Sequence, residues 1–85
     1  MLLHIGADVT VLLRDVVVIL NAKRSLAEST REFLGNARHK GAVHSIADGA
    51  PKSIVVLDER VYQSPISSVT LAKRAGETGS VREIR

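Results

Sequence analysis

Three histidines, His4, His39 and His44, are the only imidazole side chains of this 85-residue sequence, which contains no cysteine. His4 and His44 fall in different predicted strands, where their rings could meet. Two histidines without a thiolate or a carboxylate beside them make a poor zinc site, so we expect partly exposed strand histidines and no metal site. His39 lies between Arg38 and Lys40 and is expected to belong to a solvated basic helix end.

Catalytic motifs are absent from the sequence. No serine lies in a Gly-x-Ser-x-Gly elbow, and no Ser-His-carboxylate set stands out. The six glycines do not form a GxGxxG or GxxxxGK[ST] pattern that would cradle phosphates. We therefore predict that the chain is not an enzyme, that it has no catalytic residues and that it takes no cofactor.

Basic side chains are the remaining source of binding chemistry. The formal net charge is +3, and only 2% of the residues are aromatic. We assign Phe33 to the core, so base stacking cannot be the main mode of nucleic-acid binding, whereas contact with the phosphates of duplex DNA is possible. For each cation the alternative is a solvated surface charge. Outside residues 76–85, the cations are Arg14, Lys23, Arg24, Arg31, Arg38, Lys40, Lys52, Arg60, Lys73 and Arg74.

Six strands are predicted. Alternating or continuous aliphatic runs predict strands over residues 2–5, 9–13, 16–20, 42–46, 54–57 and 60–63. The runs 16–20 and 54–57 are entirely apolar, which is typical of strands buried on both faces. Pro65 should end the last strand, because proline cannot donate a hydrogen bond to a ladder.

Two helices are predicted. The first should begin at one of two capping-box patterns, Ser25-x-x-Glu28 or Ser29-x-x-Glu32, and end before Gly41. The second is a short helix capped by Ser67 that runs to Arg74. The first helix should place four apolar residues on its inner face: Leu26, Phe33, Leu34 and Ala37.

These elements predict an α+β fold with a small, mostly antiparallel sheet of about five to six strands, one main helix and a short C-terminal helix. Residues 1–75 should form a single domain. Residues 76–85 are rich in glycine and charge, so we predict a disordered tail. No uncharged run approaches the ~20 residues that a membrane span requires, and cysteine is absent, so we predict a cytoplasmic protein without a membrane partner.

Self-association is expected because two helices supply little cover for two strands that are apolar on both faces. An exposed aliphatic patch of this kind usually marks an interface, here between copies of the chain. The alternative is a sheet that curls into a small barrel-like monomer. The sequence does not assign the residues of the interface.

Three stretches resemble the Rem-type extracellular-matrix regulatory proteins, and more particularly the RemB type: LLHIGADVTVLLRDVVVIL, EFLGNARHKG and PKSIVVLDERVYQSPISSVTLAKRA. The resemblance covers residues 2–75. It implies a bacterial protein linked to the control of biofilm-matrix genes, in a family whose RemA-type members bind double-stranded DNA and assemble into rings.

The resemblance also implies where DNA would be contacted. RemA-type members carry consecutive arginines directly after the glycine of the loop before the apolar strand. In this sequence Ala50 and Pro51 follow Gly49, and the first basic residue is Lys52. Another family arginine precedes the third strand; in this sequence Asp15 takes its position, and Arg14 lies beside it.

Lys52 and Arg14 are therefore the first predicted DNA contacts, and the helix end at Lys73 and Arg74 is the next candidate. These observations favour an oligomeric, DNA-binding regulator of transcription. The alternative is an oligomeric protein-interaction module without direct DNA contact, which the missing arginine pair favours.

Overall fold

The computed structural model describes residues 1–23, 27–76 and, as a backbone path, 83–84. Its helices and strands follow one another as two groups of three strands, each group followed by a helix, and a last short strand. In chain order they are β1 (Leu2–Gly6), β2 (Val9–Leu12), a 3-10 turn (Leu13–Asp15), β3 (Val16–Asn21), α1 (Glu28–His39), β4 (Val43–Ser45), β5 (Ser53–Leu57), β6 (Val61–Ser64), α2 (Ser68–Gly76) and β7 (Glu83–Ile84).

The strands form two sheets. β1 and β2 make an antiparallel hairpin, and the other strands form a five-stranded sheet in the order β4-β6-β5-β3-β7. The central pairs β3-β5 and β5-β6 are antiparallel, whereas the outer pairs β4-β6 and β3-β7 are parallel. The predicted α+β class is confirmed, but the hairpin does not extend the main sheet as predicted. It packs across that sheet, because its buried face contributes to the same core.

One face of the main sheet is covered by the hairpin and by α2. Ile19 of β3 and Val55 of β5 are both fully buried there. The strand alternation of side chains places them on the same face, since Ile19 pairs with Val55 in the ladder. The covering residues are Leu3, Ile5 and Val11 from the hairpin, with Leu71 and Ala75 from α2.

The opposite face is covered by α1. Leu34 is the buried residue of this helix, and it packs against Leu20, Ile54, Val56 and Val61 of the sheet. Each such aliphatic side chain contributes about 1.5–3 kcal/mol when it is fully buried. β5 is therefore buried on both faces within a single chain, as its apolar sequence predicts. The expectation that the helices leave one face of the sheet without cover is wrong, because the hairpin covers that face together with α2.

Two apolar residues that were predicted to be buried are exposed instead. Phe33 is 49% exposed, because the stripe of α1 that meets the sheet is narrow and is filled by Leu34 and Ala37. Val17 is 54% exposed. Val16 pairs with Leu57 while Val18 pairs with Val56, so Val17 is the extra residue of a β-bulge and is turned out of the ladder.

Helix α1 begins differently from either capping-box prediction. Its N-cap residue is Ala27, which makes no side-chain cap bond, and the Arg31 N–H donates to the Ala27 carbonyl at 3.0 Å. Ser29 lies inside the helix, so it does not cap it; Ser25 and Leu26 lie outside the described residues. Helix α2 has the predicted cap, because the Thr70 N–H donates to Ser67 Oγ at 3.2 Å.

The predicted tail, 76–85, falls mainly outside the described residues. Within it, Gly76 is the last residue of α2, and Glu83–Ile84 pair with Ile19 and Leu20 as β7. These two residues depart from the prediction of a disordered tail.

Candidate nucleic-acid interface

Lys52 lies at a rigid point of an exposed turn, immediately before β5. Its N–H donates to the Ser64 carbonyl at 2.9 Å, and its carbonyl accepts from the Ala22 N–H at 3.2 Å. The backbone of Lys52 is thus held between the neighbours of β5 on both sides, β6 and β3, while its side chain is exposed. A cation on a fixed backbone loses less conformational freedom when it meets a phosphate than one on a mobile loop.

Lys23 lies beside Lys52, and sequence reasoning did not select it as a site residue. Asn21 pairs with Ser53 in the β3-β5 ladder, and Asn21 Oδ1 accepts from the Lys23 N–H at 2.9 Å. We call this end of the ladder, with Lys23 and Lys52, the basic end. The sequence separates the two lysines widely, and only the antiparallel pairing of β3 with β5 places them together.

Arg14 lies at the opposite end of the same ladder. It belongs to the 3-10 turn that leads into Val16, and Val16 pairs with Leu57 at the far end from Asn21 and Ser53. β5, which has no bulge, spans the ladder in four steps of about 3.3 Å, so the two ends are roughly 13 Å apart. The structure therefore does not bring Arg14 and Lys52 together, although both side chains are exposed.

Lys73 and Arg74 form a third position, in the last turn of α2. Both are exposed. Arg74 Nη1 donates to the His4 carbonyl at 3.3 Å, which fixes the end of α2 to the outer edge of β1. Cations at a helix C-terminus also complement the helix dipole, so part of the role of this pair is structural.

Carboxylates distinguish the two ends of the ladder. Asp15 follows Arg14, and the β5-β6 turn carries Asp58 and Glu59; all three line one concavity with Arg60. Near the basic end, the loop that leads to Lys52 carries one carboxylate, Asp48, at an exposed position. The described residues therefore place cations with one exposed carboxylate at the basic end, and cations mixed with three carboxylates at the end beside Arg14.

The histidines do not meet. His4 Nε2 lies 2.8 Å from the Ala7 carbonyl oxygen, whereas the His44 ring packs on Tyr62 with ring centroids 5.5 Å apart. Within residues 1–23 and 27–76, no group of three or more His, Asp or Glu side chains is arranged to hold a metal ion. None of the helices in the described ranges is long and apolar enough to span a membrane.

Tyr62 also links β6 to an arginine. Arg60 Nη1 donates to Tyr62 Oη at 3.4 Å, and this hydrogen bond raises the pKa of Arg60 above its ordinary value. Like any guanidinium, Arg60 is charged throughout the physiological pH range. It faces the same concavity as Asp58 and Glu59, so its charge partly compensates theirs.

Comparison with known proteins identifies relatives over nearly the whole chain. Residues 2–75 match the model of the RemA-like family, described as extracellular matrix regulatory protein A-like. The chain is 45% identical over 75 residues to extracellular matrix regulatory protein B of Bacillus subtilis (strain 168), an alignment that covers 88% of this chain and 90% of that protein.

Proposed function

Because the chain belongs to the RemA-like family of extracellular matrix regulatory proteins, we propose that it is a bacterial regulator of matrix genes that binds double-stranded DNA as a homo-oligomer. The proposal includes a cytoplasmic location, where bacterial DNA lies, and the absence of enzymatic activity. The observation that carries it is the exposed Lys52, held on a fixed backbone beside Lys23.

The proposed contact is with phosphates and carries no base information. Each lysine ammonium meets a phosphate as a point charge, without the bidentate geometry of arginine. Two lysines per copy give weak binding, and assembly of several copies, for example in a ring, repeats the basic end along the DNA. The affinity that results from such repetition exceeds that of one copy, although each copy binds in the same way.

A titration of DNA mobility shift at two salt concentrations tests the proposal. We expect Lys52→Ala and Lys23→Ala each to weaken binding on unrelated DNA sequences. Removing one lysine-phosphate interaction should reduce the slope of log affinity against log salt by roughly one. Arg38→Ala is the control, because it removes an exposed cation in the last turn of α1, away from both ends of the ladder. Equal loss of affinity in the control and at the basic end would contradict the proposal.

The second candidate function is an oligomeric interaction module without direct DNA contact. Ala50 and Pro51 leave Lys52 as the single cation of the loop 49–52, and the far end of the ladder carries both carboxylates and exposed apolar side chains. Wild-type protein that is oligomeric by light scattering but shows no shift of DNA at low salt would support this function instead.

A further inference from the structure

Exposed hydrophobic side chains are concentrated at the end of the ladder that is opposite to the basic end. Among the described residues six large hydrophobic side chains are exposed. Leu12 and Phe33 each line a concavity with Leu57, Met1 lines one with Leu12, Val17 lines one with Phe33, and Leu2 pairs with Leu12. We call this surface the apolar end. Its five residues are Met1, Leu2, Leu12, Val17 and Phe33.

Three of these residues lie together on the hairpin. Leu2 and Leu12 face each other across β1 and β2, and the Met1 carbonyl accepts from the Leu13 N–H at 2.9 Å. Met1 and Leu12 line a shallow concavity of about 380 Å³ with Arg14. The N-terminal residue is therefore held against the 3-10 turn, which keeps its apolar side chain at this surface.

The other two residues lie on the α1 side of the sheet. Val17 and Phe33 line an apolar groove of about 300 Å³ with Val18 and Val56. Phe33 also lines the neighbouring groove that contains Leu57 and the β5-β6 turn. The bulge turns Val17 outward at the edge of β3. β7 pairs with Ile19 and Leu20, so it does not pair with Val17.

Charges of both signs border these hydrophobic residues. The positive side chains are Arg14, Lys40 and Arg60, and the negative ones are Asp15, Asp58 and Glu59. Carboxylates oppose DNA and anionic membranes alike, and the three cations oppose a strongly basic partner. A partner with exposed hydrophobic residues and charges of both signs fits this surface, and another copy of the same chain presents such a surface.

We propose that the apolar end docks a second copy of this chain, an inference that rests on the homo-oligomer in the proposed function and names its contact surface. Arg14 then acts in pairing subunits instead of in binding DNA. The basic end, about 13 Å away along the ladder, stays open to phosphates in the assembled protein. The two surfaces of one copy thus have separate tasks.

Matched aspartate substitutions test the docking surface by analytical ultracentrifugation. Val17 and Val69 are 54% and 52% exposed, but Val17 is at the apolar end and Val69 lies on α2. We expect Val17→Asp to raise the dissociation constant of the assembly at least tenfold, because it places an unpaired charge in the contact. Val69→Asp should leave that constant unchanged. A second variant at the apolar end, Leu12→Asp, should behave as Val17→Asp does.

Circular dichroism of every variant establishes that it is folded. If Val17→Asp unfolds, Val17→Thr, which keeps the branched shape of valine, replaces it as the test variant. Unchanged assembly of folded Val17→Asp and Leu12→Asp overturns the docking surface alone. A monomeric wild type overturns both this inference and the proposed homo-oligomer. Loss of DNA affinity in Lys52→Ala at unchanged mass supports the separation of the two surfaces. Loss of assembly in folded Val69→Asp contradicts the location of the docking surface at the apolar end.

Discussion

The hydroxyl of Ser64 donates a hydrogen bond of 2.5 Å to the carbonyl of Ile5 and so joins the end of β6 to the N-terminal hairpin. Ser64 Oγ also accepts from the Ile66 N–H at 3.0 Å, and the side chain is fully buried. One hydroxyl thus satisfies two backbone groups that are largely shielded from water. Because Lys52 donates to the carbonyl of the same serine, this residue also supports the basic end.

Replacing Ser64 by alanine should lower the free energy of unfolding by about 1–3 kcal/mol, because it leaves a buried carbonyl and a partly buried N–H without this partner. Urea denaturation measures the change. Ser45→Ala is the control, since Ser45 is exposed at the edge strand β4 and should change stability by less than about 0.5 kcal/mol. Equal stability of both variants would contradict the structural role of Ser64.

Gly6 makes a second contact of the hairpin, with Pro65, the residue that follows β6. It has φ +123°, and a Cβ at this position would lie 2.8 Å from both Cγ and Cδ of Pro65. We expect Gly6→Ala to destabilise the fold by roughly 2–4 kcal/mol through backbone strain and overpacking. Gly49→Ala should be tolerated, because no atom lies within 4 Å of the Cβ it would add.

A double substitution separates the two causes in Gly6→Ala. Pro65→Ala removes the ring that the new Cβ would strike, so the two substitutions together should cost less than the sum of their separate effects. Full additivity, measured by thermal unfolding of all four proteins, would show that the contact with Pro65 is not the cause.

Gly35 offers a stabilising substitution. It lies inside α1, is exposed, and has open space where a Cβ would be. Gly35→Ala should stabilise the protein by about 0.5–1 kcal/mol, because alanine has less freedom than glycine to lose in a helix. The midpoint of thermal unfolding should rise by a few degrees, given about 4–8 °C per kcal/mol in a domain of this size. A lower midpoint would show that α1 packs differently.

Charge reversal at the two ends of the ladder should affect DNA binding unequally. Lys52→Glu places a carboxylate beside Lys23 at the proposed phosphate contact, so it should weaken DNA binding strongly at low salt. Arg14→Glu adds a carboxylate where Asp15 already lies, so it should weaken assembly more than the intrinsic DNA contact. Fluorescence anisotropy with labelled duplex, combined with measurement of mass, distinguishes these effects. A larger loss of intrinsic DNA affinity from Arg14→Glu would assign the DNA contact to that end.

Local sequence patterns were sufficient to predict most elements of the fold. The apolar run 54–57 lies in β5 (Ser53–Leu57), and Ser67 caps α2 as its hydroxyl predicts. Phe33 could not be predicted correctly, because helical spacing shows which residues share a face but does not show how wide a stripe the sheet covers. The bulge at Val17 was equally hidden, since it depends on the register of β3 against β5.

The candidate site was less predictable for a related reason. Lys52 was selected from the sequence, whereas its neighbour Lys23 was missed and its supposed companion Arg14 lies at the other end of the ladder. Each of these relationships follows from the antiparallel pairing of β3 with β5. That pairing joins residues that are far apart in the sequence, and no local pattern records it.

The hairpin of β1 and β2 is synthesised before the residues that hold it in place. Its contacts with Ser64 and Arg74 span 59 and 70 residues of sequence. Non-local closure of this kind slows folding, so Leu3, Ile5 and Val11 stay uncovered until the segment through α2 has been synthesised. A nascent chain therefore passes through a period in which it exposes aliphatic strand residues and is open to capture by chaperones or to aggregation.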